Sequence, residues 1–73
     1  MSFPHLLRSW RQKRRLSQLG LALESGVSQR HVSFLESGRA HPSRAMLLQL
    51  ADTLDVPLRD RNEWLLAAGF APM

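Results

Sequence analysis

The sequence predicts an all-α fold, a compact bundle of about five short helices, and three observations favour it. Apolar residues recur at helical spacing, most clearly at Leu47, Leu50, Ala51 and Leu54. Serines stand where the helices would begin, and glycine or proline stands where they would end. Alternating strand patterns and hairpin dipeptides are absent. We therefore expect residues 1–73 to form one domain made only of helices.

The first helix is predicted over about residues 4–14. Pro4 suits a first helical turn, because the N–H that proline lacks would have no partner there. An apolar stripe runs through this otherwise basic segment, and its members are Leu6, Leu7, Trp10 and Leu16. Trp10 is interpreted as a core residue.

The next two helices are predicted to lie close together in sequence. Ser17 is placed to cap the second helix, which ends near Gly26. Ser28 is placed to cap the third helix, which stops at Gly38. A connection this short needs left-handed backbone, which glycine adopts without a Cβ clash. Residues 18–37, approximately, are therefore predicted to be a helix-turn-helix, whose second helix enters the major groove of DNA.

Two further helices are predicted in the second half of the chain. Ser43 is placed to cap the fourth helix, and the Val-Pro pair at 56–57 breaks it. The fifth is expected to run from about Leu58 to Ala68, with Gly69 as its stop.

Charge is divided unevenly along the chain. Residues 1–44 carry eight basic side chains against two acidic ones, and residues 45–73 carry two against four, within a net charge of +4. A basic half favours a polyanionic partner, although a basic tail or a membrane-surface helix gives the same pattern. There is no cysteine, no apolar run long enough to span a membrane and no secretory h-region, which together favour a cytoplasmic, nucleoid-associated protein.

The outer side of the third helix, about residues 28–37, carries side chains suited to reading bases. Glutamine can bind adenine N6 and N7, arginine can bind guanine O6 and N7, and serine is permissive. The expected base contacts are Gln29, Arg30, Ser33 and Phe34. Three interpretations of Phe34 stay open, namely contact with a thymine methyl, pressure on a sugar, or packing on Pro42 and its loop. The phosphate contacts expected from the same scaffold are Ser28, His31, Arg39 and Arg44.

The stretch LSQLGLALESGVSQRHVSFLESGRAHPS, residues 16–43, resembles the DNA-binding domain of the phage-repressor or Cro-like (Xre-type, lambda-repressor-like) helix-turn-helix family. This resemblance implies that Gln18 contacts a phosphate and that Arg11 and Glu36 form a structural ion pair. The sequence departs from the family at Gly20, where a polar helix former is usual, and at Phe34, where a polar residue is usual. Leu19 and Leu23 also lie on a face that is normally solvated; they could pack under a neighbouring helix or touch a partner.

The C-terminal segment VPLRDRNEWLLAAGFAP resembles a narrower group, bacterial regulators in which this domain precedes a larger MmyB-like ligand-binding domain. A further C-terminal domain beyond residue 73 is therefore an expectation. A domain this small cannot bury every apolar residue of the fifth helix, and the family resemblance places dimer contacts there. The predicted interface residues are Trp64, Leu66, Phe70 and Met73. The alternative is that they form a lid on the core of the monomer.

These observations predict a sequence-specific regulator of transcription that binds palindromic double-stranded DNA as a homodimer. No cofactor is expected, and no metal, because the three histidines lack ligand spacing. An enzyme is not expected, since neither a nucleophile–base pair nor a phosphate-binding glycine loop is present. The alternative is a protein-interaction module of the same fold, for example an antitoxin that binds its toxin through Leu19, Leu23 and Trp64.

Overall fold

Five helices make up the fold of the computed structural model, which describes all residues from 1 to 73. They are α1 (Phe3–Lys13), α2 (Gln18–Ser25), α3 (Gln29–Ser37), α4 (Arg44–Thr53) and α5 (Leu58–Ala67). No strand is present, so the predicted all-α class is confirmed. None of the helices has the length and apolar character needed to cross a membrane.

Four of the five helices begin at a serine whose hydroxyl oxygen accepts a hydrogen bond from the backbone N–H three residues later. This contact satisfies one of the donors that the first turn of a helix leaves unpaired. The serines are Ser2, Ser17, Ser28 and Ser43, and the last three confirm the predicted caps. The fifth helix follows Pro57 and has no side-chain cap.

Two kinds of left-handed residue end the first three helices. Gly26 and Gly38, each with φ of 79°, close α2 and α3 as predicted. After α1 the residue with left-handed backbone is Arg15, with φ of 59°, and no glycine in the sequence predicts this turn. Leu16 therefore lies beyond α1 and outside its stripe, half-buried against the core.

Sixteen buried apolar residues form one core. At its centre the ring of Trp64 is fully buried and meets Phe3 edge to face, with ring centroids 5.6 Å apart. The prediction for Trp10 needs correction, because its ring is only half-buried, and Lys13 and Arg14 lie over it.

The helices are arranged so that α3 lies at one side of the bundle. It packs against α1 and α2, while α2 packs on α4, and α5 packs on α4 and α1. One face of α3 is therefore held by two neighbours, and the opposite face is open to solvent.

Candidate nucleic-acid interface

The two faces of α3 differ sharply in burial. Val32 and Leu35 are completely buried, and Gln29 and Arg30 in the first turn are exposed. Ser33, one turn later on the outer side, is half-buried. This division follows the helical period, which places residues three and four apart on the same face. The open face of α3 therefore presents an amide, a guanidinium and a hydroxyl.

The connection from α2 to α3 consists of residues 26–28 and is held from both sides. The Gly26 N–H donates to the carbonyl of Ala22 (3.0 Å), and the Val27 N–H donates to the buried Ser25 hydroxyl (3.2 Å). The Gln49 amide of α4 donates to the carbonyl of Ser25. These bonds fix the start of α3 relative to α2 and α4.

A second set of polar contacts anchors the end of α3 to α1 and α2. Arg11 donates to Glu36 through Nε (2.6 Å to Oε2) and Nη2 (2.9 Å to Oε1), and through Nη1 to the carbonyl of Leu16 (2.8 Å). The Gln18 amide donates to the same carboxylate (3.1 Å), and Arg8 Nε lies 3.6 Å from it. We call Arg8, Arg11, Gln18 and Glu36 the Glu36 network. It brings together both residues of the expected ion pair and one expected phosphate contact.

Burial and hydrogen bonding act on Glu36 in opposite directions. Burial by itself would raise the pKa of this carboxyl, because it disfavours the charged form. Hydrogen bonds from Arg11 and Gln18, with the charges of Arg11 and Arg8, outweigh burial, so the pKa lies below its ordinary value. The hydrogen bond to Glu36 correspondingly raises the pKa of Arg11. Both groups are therefore held in their charged forms.

The basic residues at the end of α1 also have contacts within the protein. Arg14 donates to the carbonyls of Leu54 (2.8 Å) and Asp55 (3.0 Å), which joins the end of α1 to the turn between α4 and α5. The Lys13 Nζ lies 4.3 Å from the centre of the Trp10 ring, within the range of a cation–π contact.

The residues expected to contact phosphate are distributed over three helices and the two connections that flank α3. Ser28 caps α3 through its hydroxyl, and His31 is half-buried in the first turn of that helix. Gln18 opens α2 and is bound to Glu36. Arg39 is exposed in the loop after α3, and Arg44, exposed at the start of α4, donates to the carbonyl of Ala71 (3.2 Å).

Phe34 is half-buried and lies beside two arginines. The Cζ atom of Arg30 is 5.8 Å from the centre of its ring, and that of Arg39 is 5.7 Å away. We call Arg30, Phe34 and Arg39 the Phe34 cluster. Sequence reasoning missed it, although the spacing of four between Arg30 and Phe34 already places these two on one helix face. The position of Arg39 depends on how the loop folds back, which no local pattern shows.

The residues expected at a dimer interface separate into two groups. Trp64 lies in the core of its own chain and cannot meet a partner, so its place in the predicted interface is corrected. Leu66 and Met73 are exposed, and Phe70 is half-buried with its ring centre 6.0 Å from that of His41. A shallow groove beside Leu66 is lined by Met1, Arg59, Asn62, Glu63, Leu66 and Ala67.

Leu19 and Leu23 do not pack under a neighbouring helix. Their exposed fractions are 49% and 76%, so this face of α2 presents two leucines to solvent. Gly20, on the inner side of this turn, has little room for a side chain, because an added Cβ would lie 3.2 Å from the Ser17 hydroxyl.

Comparison with known proteins relates most of this architecture to one family. Residues 7–60 match the family HTH_3, described as helix-turn-helix. The matched segment begins within α1, contains α2, α3 and α4, and ends in the first turn of α5. No curated protein and no solved structure shows significant similarity to the chain.

Proposed function

Because the chain belongs to the helix-turn-helix family of the Xre and lambda-repressor type, a family of DNA-binding regulators of transcription, we propose that it binds double-stranded DNA sequence-specifically, with α3 in the major groove. This family is typically non-enzymatic. The protein would act in the cytoplasm, at the nucleoid.

The observation that carries this proposal is the open face of α3. Gln29 and Arg30 are exposed in the first turn, where a recognition helix meets base edges, and neither is paired with an acid. Arginine suits guanine and glutamine suits adenine, while Ser33 can donate to or accept from either. These three side chains would supply the choice of sequence.

Phosphate contacts would come from the residues that surround this face. Arg39 and Arg44 are exposed cations, and Ser28 and His31 lie at the N-terminal end of α3. Gln18 gives one amide hydrogen to Glu36, and an amide nitrogen carries a second that can reach a phosphate. Contacts of this kind fix the register of a protein on DNA without reading its sequence.

A homodimer would place two α3 helices in successive major grooves about 34 Å apart, on a palindromic operator. The surface at the end of α5 supports this arrangement, because Leu66, Phe70 and Met73 leave apolar area uncovered there. The groove beside Leu66 carries both Arg59 and Glu63, so a two-fold copy could pair opposite charges around an apolar centre.

Selection from a pool of random duplexes tests the proposal. We expect enrichment of a motif with two inverted half-sites, spaced by about one helical turn of DNA. A pool that stays random would contradict sequence-specific binding, and a motif without symmetry would contradict the homodimer alone. The Leu66→Glu variant should weaken binding to the full palindrome more than binding to a half-site.

A protein-interaction module is the second candidate, and the exposure of Leu19 and Leu23 favours it. In this alternative, α2 would bind a partner protein as an antitoxin binds its toxin. The paired variant Leu19→Ser/Leu23→Ser separates the two functions. If the function is DNA binding by α3, this variant should bind DNA with unchanged affinity. If α2 binds a protein, the variant should lose capture of that partner in the absence of DNA.

The narrower resemblance to MmyB-like regulators stays a prediction. The family match ends at residue 60, before most of the segment that carries this resemblance. A ligand-binding domain after residue 73 would follow if the resemblance holds.

A further inference from the structure

The Phe34 cluster places two cations of different origin against one aromatic ring. Arg30 belongs to α3 and stands one turn before Phe34, whereas Arg39 belongs to the loop that follows the helix. Both guanidinium carbons lie within 6 Å of the ring centre, at 5.8 and 5.7 Å. At this distance the negative face of an aromatic ring attracts a cation.

The backbone of Phe34 also holds the loop that carries Arg39. Its carbonyl accepts hydrogen bonds from the N–H of Arg39 (2.9 Å), the N–H of Ala40 (3.2 Å) and the hydroxyl of Ser37 (3.2 Å). Gly38, with φ of 79°, provides the reversal of the chain that these bonds require. The loop is thereby folded back onto the last turns of α3, with the Arg39 side chain beside the ring.

No acidic side chain satisfies either arginine. The ion pairs of the protein join Arg8 and Arg11 to Glu36, and Arg61 to Asp52. Glu36 is only two residues from Phe34, but it lies on the buried side of α3. The two guanidinium groups therefore lie beside the ring, and no acid compensates their charges.

We propose that Phe34 is a positioning residue, whose ring orients Arg30 toward the base edges and Arg39 toward the phosphate backbone before DNA arrives. This inference rests on the proposed function. A long arginine side chain loses rotamer freedom when it binds, and part of that loss has already occurred in a side chain held by a ring. Phe34 therefore couples sequence reading by α3 to backbone binding by the loop, in place of a contact with a thymine methyl.

A double-mutant cycle on DNA binding tests this role. Phe34→Leu keeps an apolar side chain and removes the aromatic face, while Phe34→Tyr keeps the face and serves as the matched control. We expect Phe34→Leu to weaken operator binding about threefold to tenfold and Phe34→Tyr to preserve it. Arg30→Ala should cost less in the Phe34→Leu background than in the unaltered protein. The slope of affinity against salt should stay the same in Phe34→Leu, because no charge is removed.

A measurement on the free protein separates this inference from the proposed function. The side-chain methylene protons of Arg30 and Arg39 should show upfield ring-current shifts in the NMR spectrum of the unaltered protein and of Phe34→Tyr. Unshifted resonances in the unaltered protein would overturn the inference, even if Phe34→Leu failed to fold.

The positioning role would be overturned if the losses in the cycle were additive and Phe34→Leu weakened binding only to operators with a thymine at one position. That result would assign a thymine contact to Phe34. If the unaltered protein bound no duplex, the proposed function would fail and the DNA role of Phe34 with it. Shifted arginine resonances would then mark a structural cluster alone.

Discussion

Two groups of arginines lie within or beside α3, and they differ in the side chain that each group contacts. In the Glu36 network, Arg11 faces a carboxylate that is almost completely buried, and the two charges cancel within the fold. In the Phe34 cluster, Arg30 and Arg39 face an aromatic ring and solvent. A cation without an acid keeps its full attraction for phosphate. The number of basic side chains in residues 1–44 is therefore larger than the number available to DNA, because some of them bind partners within the bundle.

Removing the acid of the Glu36 network has the largest expected effect. Glu36→Gln leaves Arg11 charged and mostly buried without a carboxylate, and we expect the free energy of unfolding to fall by about 3 kcal/mol. Urea unfolding followed by circular dichroism measures the change. Glu24→Gln is the matched control, because Glu24 is exposed, and it should change stability little. Equal effects of the two substitutions would show that the Glu36 network does not stabilise the fold.

The pH dependence of stability depends on the same carboxylate. The folded-state pKa of Glu36 lies below its ordinary value of 4.5, so its contribution is complete above pH 4.5. As the pH falls below that value the unfolded chain takes up a proton first, and the contribution is lost as the pH passes through the folded pKa. Unfolding curves at successive pH values should show a steeper acid loss in the unaltered protein and in Glu24→Gln than in Glu36→Gln. Parallel curves for all three would contradict the lowered pKa.

Arg30 and Arg44, which are exposed and have no acid opposite them, should act on DNA and change the free energy of unfolding little. We expect Arg30→Ala to reduce the preference for operator over scrambled DNA by about 1–3 kcal/mol, because a guanine contact is lost. Arg44→Ala should weaken binding to both duplexes alike. Fluorescence anisotropy titrations with the two duplexes measure both effects. The reverse pattern would show that the two arginines have exchanged roles.

Arg14 provides the smallest effect and belongs with the arginines that hold the fold. Its guanidinium donates to two carbonyls in the turn between α4 and α5, so Arg14→Ala should lower the free energy of unfolding by about 1 kcal/mol. Arg15→Ala, at an exposed neighbour without such bonds in this structure, is not an equivalent control, because Arg15 has left-handed backbone. Arg30→Ala, exposed on α3 and without a side-chain hydrogen bond to another segment, is the better one, and it should unfold nearly like the unaltered protein.

The helix order and starts were predictable from sequence because they depend on local chemistry. A serine before an apolar run caps a helix wherever that helix packs, as Ser17, Ser28 and Ser43 do. The left-handed backbone at Arg15 was not predictable, since an arginine carries no signal for it. The open face of α3 was predictable from the helical spacing of its apolar residues and from the residues that cap it.

Contacts between distant segments were harder to predict. Trp64 packs against Phe3, sixty-one positions earlier in the chain, and apolar character alone left open whether it lay at an interface or over the core of the monomer. The Glu36 network was expected only in its Arg11–Glu36 pair, and the joining of Gln18 and Arg8 to it required the packing of three helices. None of the three interpretations of Phe34 included its contact with Arg39, because the position of Arg39 depends on how the loop after α3 folds back.

The proposed division between arginines that contact DNA and arginines that hold the fold is tested most directly by the salt dependence of DNA affinity. The unaltered protein, Arg39→Ala and Arg14→Ala should each be titrated against one duplex over a range of salt concentrations. For the unaltered protein we expect a log–log slope of about one unit per phosphate contacted. The slope should fall by about one unit in Arg39→Ala and stay unchanged in Arg14→Ala. A flat dependence in the unaltered protein, or a loss of slope in Arg14→Ala but not in Arg39→Ala, would contradict the account.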